Sequence, residues 1–319
     1  AKAFGYAFVF TSIAALLLTL AYQGRVSPAE ARAEFLTLAG VLIVGPGVAA
    51  LPIYFALPQA SYEAVYFEMV SALTTTGASI FDRPGELSDP INLWRVLCGW
   101  FGGMIALTMA FALLAPRNLG GYEVRGALDR GGSIGRLRGM PKWAGGQKRE
   151  AAGDRIARAI RSITPVYLSL TAILTLLLIA VGQEPFKALA SAFSLISTSG
   201  LQVSNDGMFA DVGAKGEVVV VFFLVVAASR HLYRSEKSLS DRVSRFRADP
   251  ETRVLIFVVV LVSLWLFLRH FFGALDITAD ADIVDPMAAL WGGFFTALSF
   301  AVTAGVPSDS WETARSWSG

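Results

Sequence analysis

The sequence predicts an all-α membrane protein built of repeated units. Each unit reads as a hydrophobic helix, a short re-entrant helix, a backbone-exposing loop and a returning hydrophobic helix. Three observations carry this reading. The 319 residues are 54% hydrophobic and only 16% charged, with a mean hydropathy of +0.55, far more apolar than a soluble domain. Runs that reach the ~20 apolar residues needed to cross a bilayer lie at 4–22, 35–57, 92–115, 163–181 and 252–272, with a shorter one at 217–229. A spaced trio recurs three times, a Ser, a Thr four residues on and a Gly two beyond that: Ser71, Thr75, Gly77; Ser194, Thr198, Gly200; Ser299, Thr303, Gly305. Each copy lies between an apolar stretch and an acidic loop, so whole supersecondary units repeat.

Taken in order, residues 1–34 form one helix outside the repeat and a polar link from Gln23 to Glu34. The first unit occupies 35–119, with a helix at 35–57 expected to be interrupted by Pro46 and Pro52, a pore-type segment at 61–73, a loop at 74–81 and a returning helix at 92–115. A Gly- and Arg-rich linker, 120–162, has weak helical signal until Asp154. The second unit, 163–235, runs through 163–181, 185–196, 197–203 and 217–232. After a second linker at 236–251, the third unit, 252–319, supplies 252–272, 286–301 and 302–306 and then stops. Position 1 is not Met and no returning helix follows the third trio, so both ends are expected to be cut.

Charge gives the orientation. Residues 117–161 carry eleven Lys/Arg against four acids, and 230–253 carry seven against four, which puts both loops on the cytoplasmic side. A docking surface for a cytosolic partner is the alternative role for them. Asp82, Glu86, Asp89, Asp206, Asp211, Glu217, Asp276, Asp280, Asp282, Asp285, Asp309 and Glu312 fall on the opposite side, where the trios open. The lone Cys98 excludes an internal disulfide and reads as packing. His231 and His270, at helix ends, suit interfacial anchoring. No nucleic-acid partner is expected.

The trios point to chemistry. A segment of 12 to 16 residues is too short to span, and non-helical backbone at membrane depth persists only when buried in protein or lining a watery cavity. The loops should therefore surround an aqueous central pore. Thr74-Thr-Thr-Gly77 and Ser197-Thr-Ser-Gly200 offer carbonyls and hydroxyls without charge. Such oxygens suit a hard monovalent cation, whereas a carboxylate ring would retain a divalent ion. Gly77, Gly200 and Gly305 supply the dihedrals that turn successive carbonyls toward one axis. The partially negative C-terminus of each short helix points at the same place, and the outer acids raise the local cation concentration.

Other features read as structural. The Gly pairs at 102–103 and 292–293 suit helix packing, and Trp94, Trp100, Trp291, Trp311 and Trp317 suit interfacial belts. Arg95 is expected to snorkel or to pair with an outer acid. Glu63 and Glu68 flank the first pore-type segment, and Glu68 needs a buried partner or water that the sequence does not name.

The segment Ser71-Ala-Leu-Thr-Thr-Thr-Gly-Ala-Ser79, the acidic loop after it, Leu93-Trp-Arg and Gly99-Trp-Phe-Gly-Gly103 resemble the first pore repeat of the Trk/Ktr/HKT superfamily of potassium transporters, closest to its TrkH-type members. Ser197-Thr-Ser-Gly200 is similar to the second filter loop and Thr303-Ala-Gly305 to the third. The resemblance implies four such repeats around one pore, potassium (sometimes sodium) as the ion, and a dimeric subunit of the plasma (inner) membrane governed by a cytosolic nucleotide-binding ring. It also implies ion coordination by Thr75 and Thr76, Thr198 and Ser199, and Thr303 and Ala304, with Gly77, Gly200 and Gly305 completing the loops. The third loop departs in having Val302 and Ala304 where the first has Thr, which leaves only its backbone carbonyls there. A gate and the last quarter of the filter would come from segments this chain does not contain, so this chain alone should not conduct.

Three other classes compete. A sodium-permeable transporter would share the architecture. An intramembrane serine protease would need His231 or His270 beside Ser199, yet His231 falls on the opposite side, and the other two trios go unexplained. A secondary transporter with broken helices would need inverted pairing and midplane charges that these loops lack.

Overall fold

The computed structural model describes residues 2–23, 31–114, 152–228, 249–274 and 286–310, and all regular structure among them is helical. In chain order the helices are α1 (Lys2–Tyr22), α2 (Ala31–Ala56), α3 (Tyr62–Leu73), α4 (Asp89–Met109), α5 (Ala152–Ala180), α6 (Pro185–Ile196), α7 (Ala214–Ala228), α8 (Pro250–Ala274) and α9 (Pro286–Ala301). Five of them, α1, α2, α4, α5 and α8, are long and apolar enough to cross a membrane. The pore-type segments expected at 61–73, 185–196 and 286–301 are α3, α6 and α9, too short to span. The linker 115–151, the basic stretch 229–248 with His231, the acids Asp276 to Asp285, and Glu312, Trp311 and Trp317 lie outside the described residues.

Local signals set the starts of the short helices. Ser61 caps α3, its Oγ accepting the Ala64 N–H at 3.3 Å, which satisfies one of the amides a helix N-terminus leaves free. Proline opens α6 and occupies the first turn of α4, where a missing N–H does no harm. In the middle of α2 the expected interruption does not occur. Pro46 and Pro52 sit inside one continuous helix. Each removes an N–H from the ladder, a loss that membrane helices commonly tolerate. The Tyr66 hydroxyl donates to the Ile43 carbonyl at 2.9 Å and the Tyr62 hydroxyl to the Gly47 carbonyl at 3.1 Å. These bonds also fasten α3 to α2.

Packing follows the unit order. α3 lies between α2 and α4, α6 lies on α4 and α5, and α9 lies on α8 and α7. Small residues permit the closest approaches, as expected for Gly102 and Gly103. A Cβ at Gly102 would collide with the carbonyl of Leu73 at the end of α3. One at Gly103 would stand 2.9 Å from Ser197 Cα.

Trp100 departs from the belt reading. Trp100 is buried, donates to Thr171 Oγ1 at 3.1 Å and packs on the Tyr167 ring. Trp94 donates to the Ala49 carbonyl at 2.8 Å and meets Phe4 edge-on, which ties α4 to α2 and α1. Trp291 bonds a buried carboxylate described below. In each case the indole N–H finds an acceptor inside the protein, which makes burial favourable. Cys98 is buried, in keeping with packing.

Candidate functional site

The three short helices end in one hydrogen-bonded pattern. The N–H groups of Thr75, Thr198 and Thr303 bond the carbonyls three residues back at 3.0, 3.1 and 3.0 Å. The next N–H groups, of Thr76, Ser199 and Ala304, bond the carbonyls of Ser71, Ser194 and Ser299 at 2.8, 2.9 and 2.8 Å. This double closure is the Schellman motif, whose pivot is a left-handed residue, usually Gly. Here the pivot is Thr every time, with φ of +54° at Thr75, +54° at Thr198 and +63° at Thr303. A β-branched residue in that region is a true outlier, costing about 1–2 kcal/mol. Strain of this kind gathers where a site requires it.

Two residues on, Gly77, Gly200 and Gly305 are also left-handed, at +78°, +66° and +66°. A Cβ at Gly77 would collide with the carbonyl oxygen of Ser199, and one at Gly200 with that of Ala304. The loops thus lie side by side in chain order, each glycine pressed on the residue just before the next glycine. Among the described residues, nothing lies within 4 Å of the same position on Gly305. Loops two and three also meet through hydroxyls, Thr303 Oγ1 donating to Thr198 Oγ1 at 3.4 Å.

Side chains at the candidate positions divide into two groups. Thr76 and Thr303 are exposed, and Thr75 and Thr198 are half-buried. Ser199 and Ala304 are buried. Ser199 Oγ is turned inward, accepting from Ser197 Oγ at 3.0 Å and reaching the Ser194 carbonyl at 3.4 Å. The first loop repeats that contact in exposed form, Thr74 Oγ1 and Thr76 Oγ1 lying 2.8 Å apart. In the third unit Ser299 Oγ accepts the Val306 N–H at 2.8 Å.

Behind the loops lie residues whose roles were not legible one at a time. Glu68 is fully buried on α3, and its partner is Arg95 of α4, at 2.7 Å, itself 1% exposed. This corrects the expectation that Arg95 snorkels or meets an outer acid: two charges in hydrocarbon are far less costly together than apart. Glu68 also accepts the Ile80 N–H at 2.8 Å and the Ser79 hydroxyl at 3.1 Å. Glu217, placed by sequence among the mouth acids, is instead fully buried at the start of α7. It accepts from Trp291 Nε1 at 2.6 Å and from the Asp309 N–H at 3.0 Å. The signal for the first pair was available: opposite charges on consecutive elements of a charge-poor chain should pair.

Asp82, Glu86, Asp206 and Asp211 are exposed in the segments that follow the first two trios, as is Asp89 at the start of α4. Asp211 bonds Lys187 at 2.8 Å, and that hydrogen bond raises the lysine above its ordinary 10.5. These two segments are joined where the Gly85 N–H bonds Asn205 Oδ1 at 2.8 Å.

No family model matches the chain. The Trk system potassium uptake protein TrkH of Vibrio parahaemolyticus is 29% identical over 250 residues, 78% of this chain and 47% of that protein. TrkH of Escherichia coli (strain K12) is 28% identical over 288 residues, 88% of this chain and 54% of that protein. TrkI of Halomonas elongata is 26% identical over 265 residues, 82% of this chain and 48% of its own length. The chain spans about half the length of the curated relatives it matches. The crystal structure of the potassium transporter TrkH from Vibrio parahaemolyticus superposes with a TM-score of 0.74 at 24% identity, over 96% of this chain and 58% of that one. In helix order, and in sequence over most of its length, the chain is similar to TrkH-type membrane subunits of Trk systems.

Proposed function

We propose that the chain supplies three of the units that line a potassium-uptake path across the plasma (inner) membrane, with the three loops as its selectivity filter. The observation that carries this reading is the triplicated backbone: left-handed Thr, then left-handed Gly, in loops seated against one another in order. In this reading the carbonyls and hydroxyls about Thr75, Thr76, Gly77, Thr198, Ser199, Gly200, Thr303, Ala304 and Gly305 replace the water around a potassium ion. Ser199 and Ala304 contribute through their carbonyls, since the Ser199 hydroxyl is turned inward. Rings of such oxygens bind an ion firmly enough to admit it and weakly enough to release it. The hydroxyls at Thr198 and Thr303, 3.4 Å apart, support a shared path. Retaining Thr where Gly would be unstrained is accounted for if the hydroxyl serves the ion.

The relatives are named for potassium uptake, which favours potassium over sodium. The open face of Gly305 suits a fourth loop from further polypeptide, seated as loop two sits on Gly77. The outer acids would concentrate cations, and loops 117–161 and 230–253 would face the cytoplasm. There a nucleotide-binding regulatory ring would act on a homodimer, in keeping with relatives named as parts of a Trk system. We assign no catalytic step and no cofactor beyond the transported ion.

The test is potassium and sodium flux into liposomes holding the natural full-length protein, beside its Gly77→Asp variant. Potassium-selective flux abolished by the substitution is the expected result. Absence of cation flux from folded, inserted protein with its cytosolic partners supplied would overturn the reading.

A further inference from the structure

The network around Arg95 does more than neutralise Glu68. Its Nη2 donates to Ser79 Oγ at 2.8 Å, and its Nη1 donates to Asn92 Oδ1 at 2.9 Å and to the Gln202 carbonyl at 3.3 Å. Ser79 and Gln202 stand at the same position in their units, two residues past Gly77 and Gly200. One planar guanidinium thus touches both loop exits at equivalent points, fixed from behind by Glu68 and set over the Phe81 ring at 5.2 Å. The second junction has a counterpart. Glu217, near the outer end of α7 as Arg95 is on α4, reaches forward to the exit of the third loop through the Asp309 N–H, and to α9 through Trp291. At each junction a buried charged residue on one unit's returning helix holds the loop of the next unit. A cation holds a carbonyl at the first junction, and an anion holds an amide at the second.

We propose that Arg95 and Glu217 are positioning residues that set the separation of neighbouring filter loops and thereby the discrimination between potassium and sodium. This rests on the filter reading above. Neither side chain touches the ion. They act through the loops they space, and the physical requirement is rigidity, since a site that can shrink by a fraction of an ångström accommodates the smaller ion. Arg95 is suited to the task because its donors sit in a fixed fork, which a lysine cannot reproduce.

The experiment measures the potassium-to-sodium flux ratio and the thermal stability of the natural full-length protein as wild type, R95K, E68Q/R95M and E217Q. Removing one member of a buried pair endangers folding, whereas removing both charges is often tolerated. E68Q/R95M therefore leaves no stranded charge, and R95K keeps the charge but loses the fork. The expected result is a fall of about tenfold in the ratio for R95K and E68Q/R95M, the scale of one charged hydrogen bond, and a smaller fall for E217Q. Folded R95K and E68Q/R95M proteins with a wild-type ratio, whatever their melting temperatures, would reduce the network to a structural role and overturn the proposal. A wild type without any preference would overturn the filter reading itself. Should the double variant fail to insert, R95K decides between the same outcomes.

Discussion

In the first unit the amide three residues past the loop glycine, that of Ile80, is held at 2.8 Å by the carboxylate of Glu68. In the third unit the equivalent amide, that of Ser308, is held at 3.1 Å by the hydroxyl of Thr296. Glu68 and Thr296 occupy one register position, three residues before Ser71 and Ser299. Loop geometry is therefore set by which backbone groups must be satisfied, and the satisfying side chain can differ. The difference has consequences, because the carboxylate of Glu68 is paired with a buried cation. The first unit has acquired Arg95, and with it a tie to the second loop, while the third manages with a neutral hydroxyl.

The glycines offer the sharpest way to break the comparison. Gly200→Ala drives a Cβ into the Ala304 carbonyl, and Gly77→Ala drives one into that of Ser199. Both should abolish potassium preference in flux assays, because backbone on both sides must move. In the present chain Gly305→Ala should cost only the left-handed penalty of about 1–2 kcal/mol, read as a small fall in melting temperature. In the natural full-length protein it should be as damaging as Gly200→Ala if a fourth loop presses there. A mild effect in that setting would count against the fourth loop.

The anchors come next. Glu68→Ala strands a buried guanidinium and should lower stability by about 3–5 kcal/mol. Thr296→Ala, losing one neutral bond, should cost about 1 kcal/mol. Thermal unfolding in detergent would rank them, and equal losses would contradict the distinction between charged and neutral anchors. A smaller effect of opposite sign is expected of Thr75→Gly. Relief of the strained pivot should raise stability by roughly 1 kcal/mol, while loss of the hydroxyl weakens potassium preference.

The smallest concerns the exposed pair of Lys187 and Asp211. Lys187 is raised by its hydrogen bond to Asp211, so whatever the pair contributes is fully present below the ordinary lysine value of 10.5. It is lost only as pH rises through the folded value above that. Unfolding followed by pH should therefore show no step from Lys187 between neutrality and pH 10, and Lys187→Gln should remove any alkaline step.

Much of the fold was legible because membranes impose simple lengths. Apolar runs gave the five long helices, and short runs before polar loops gave α3, α6 and α9. Pro46 and Pro52 misled because a membrane helix tolerates a missing ladder bond, and α2 is braced along this stretch by Tyr62 and Tyr66 of α3, which a local rule does not see. Trp100 misled because tryptophan is common both at interfaces and in cores, and only its acceptor, Thr171, decides between them. The trio was legible as a repeat and as the place where each short helix ends, but the left-handed pivot that ends it was hidden, since Thr replaces the glycine that marks such pivots. Glu68 and Arg95, 27 residues apart, became intelligible only as a pair.

That pair also bears on how the molecule is made. α3 carries Glu68 and α4 carries Arg95, and neither charge is at ease alone in hydrocarbon, where translocation studies place the cost near ~2.5–3.5 kcal/mol each. While a ribosome has delivered only the first of the two segments, the short helix gains by waiting at the water interface. Once the second arrives with its guanidinium, the two descend at lower cost together. A charge pair shared between consecutive segments thus favours burying the two segments together over burying either alone.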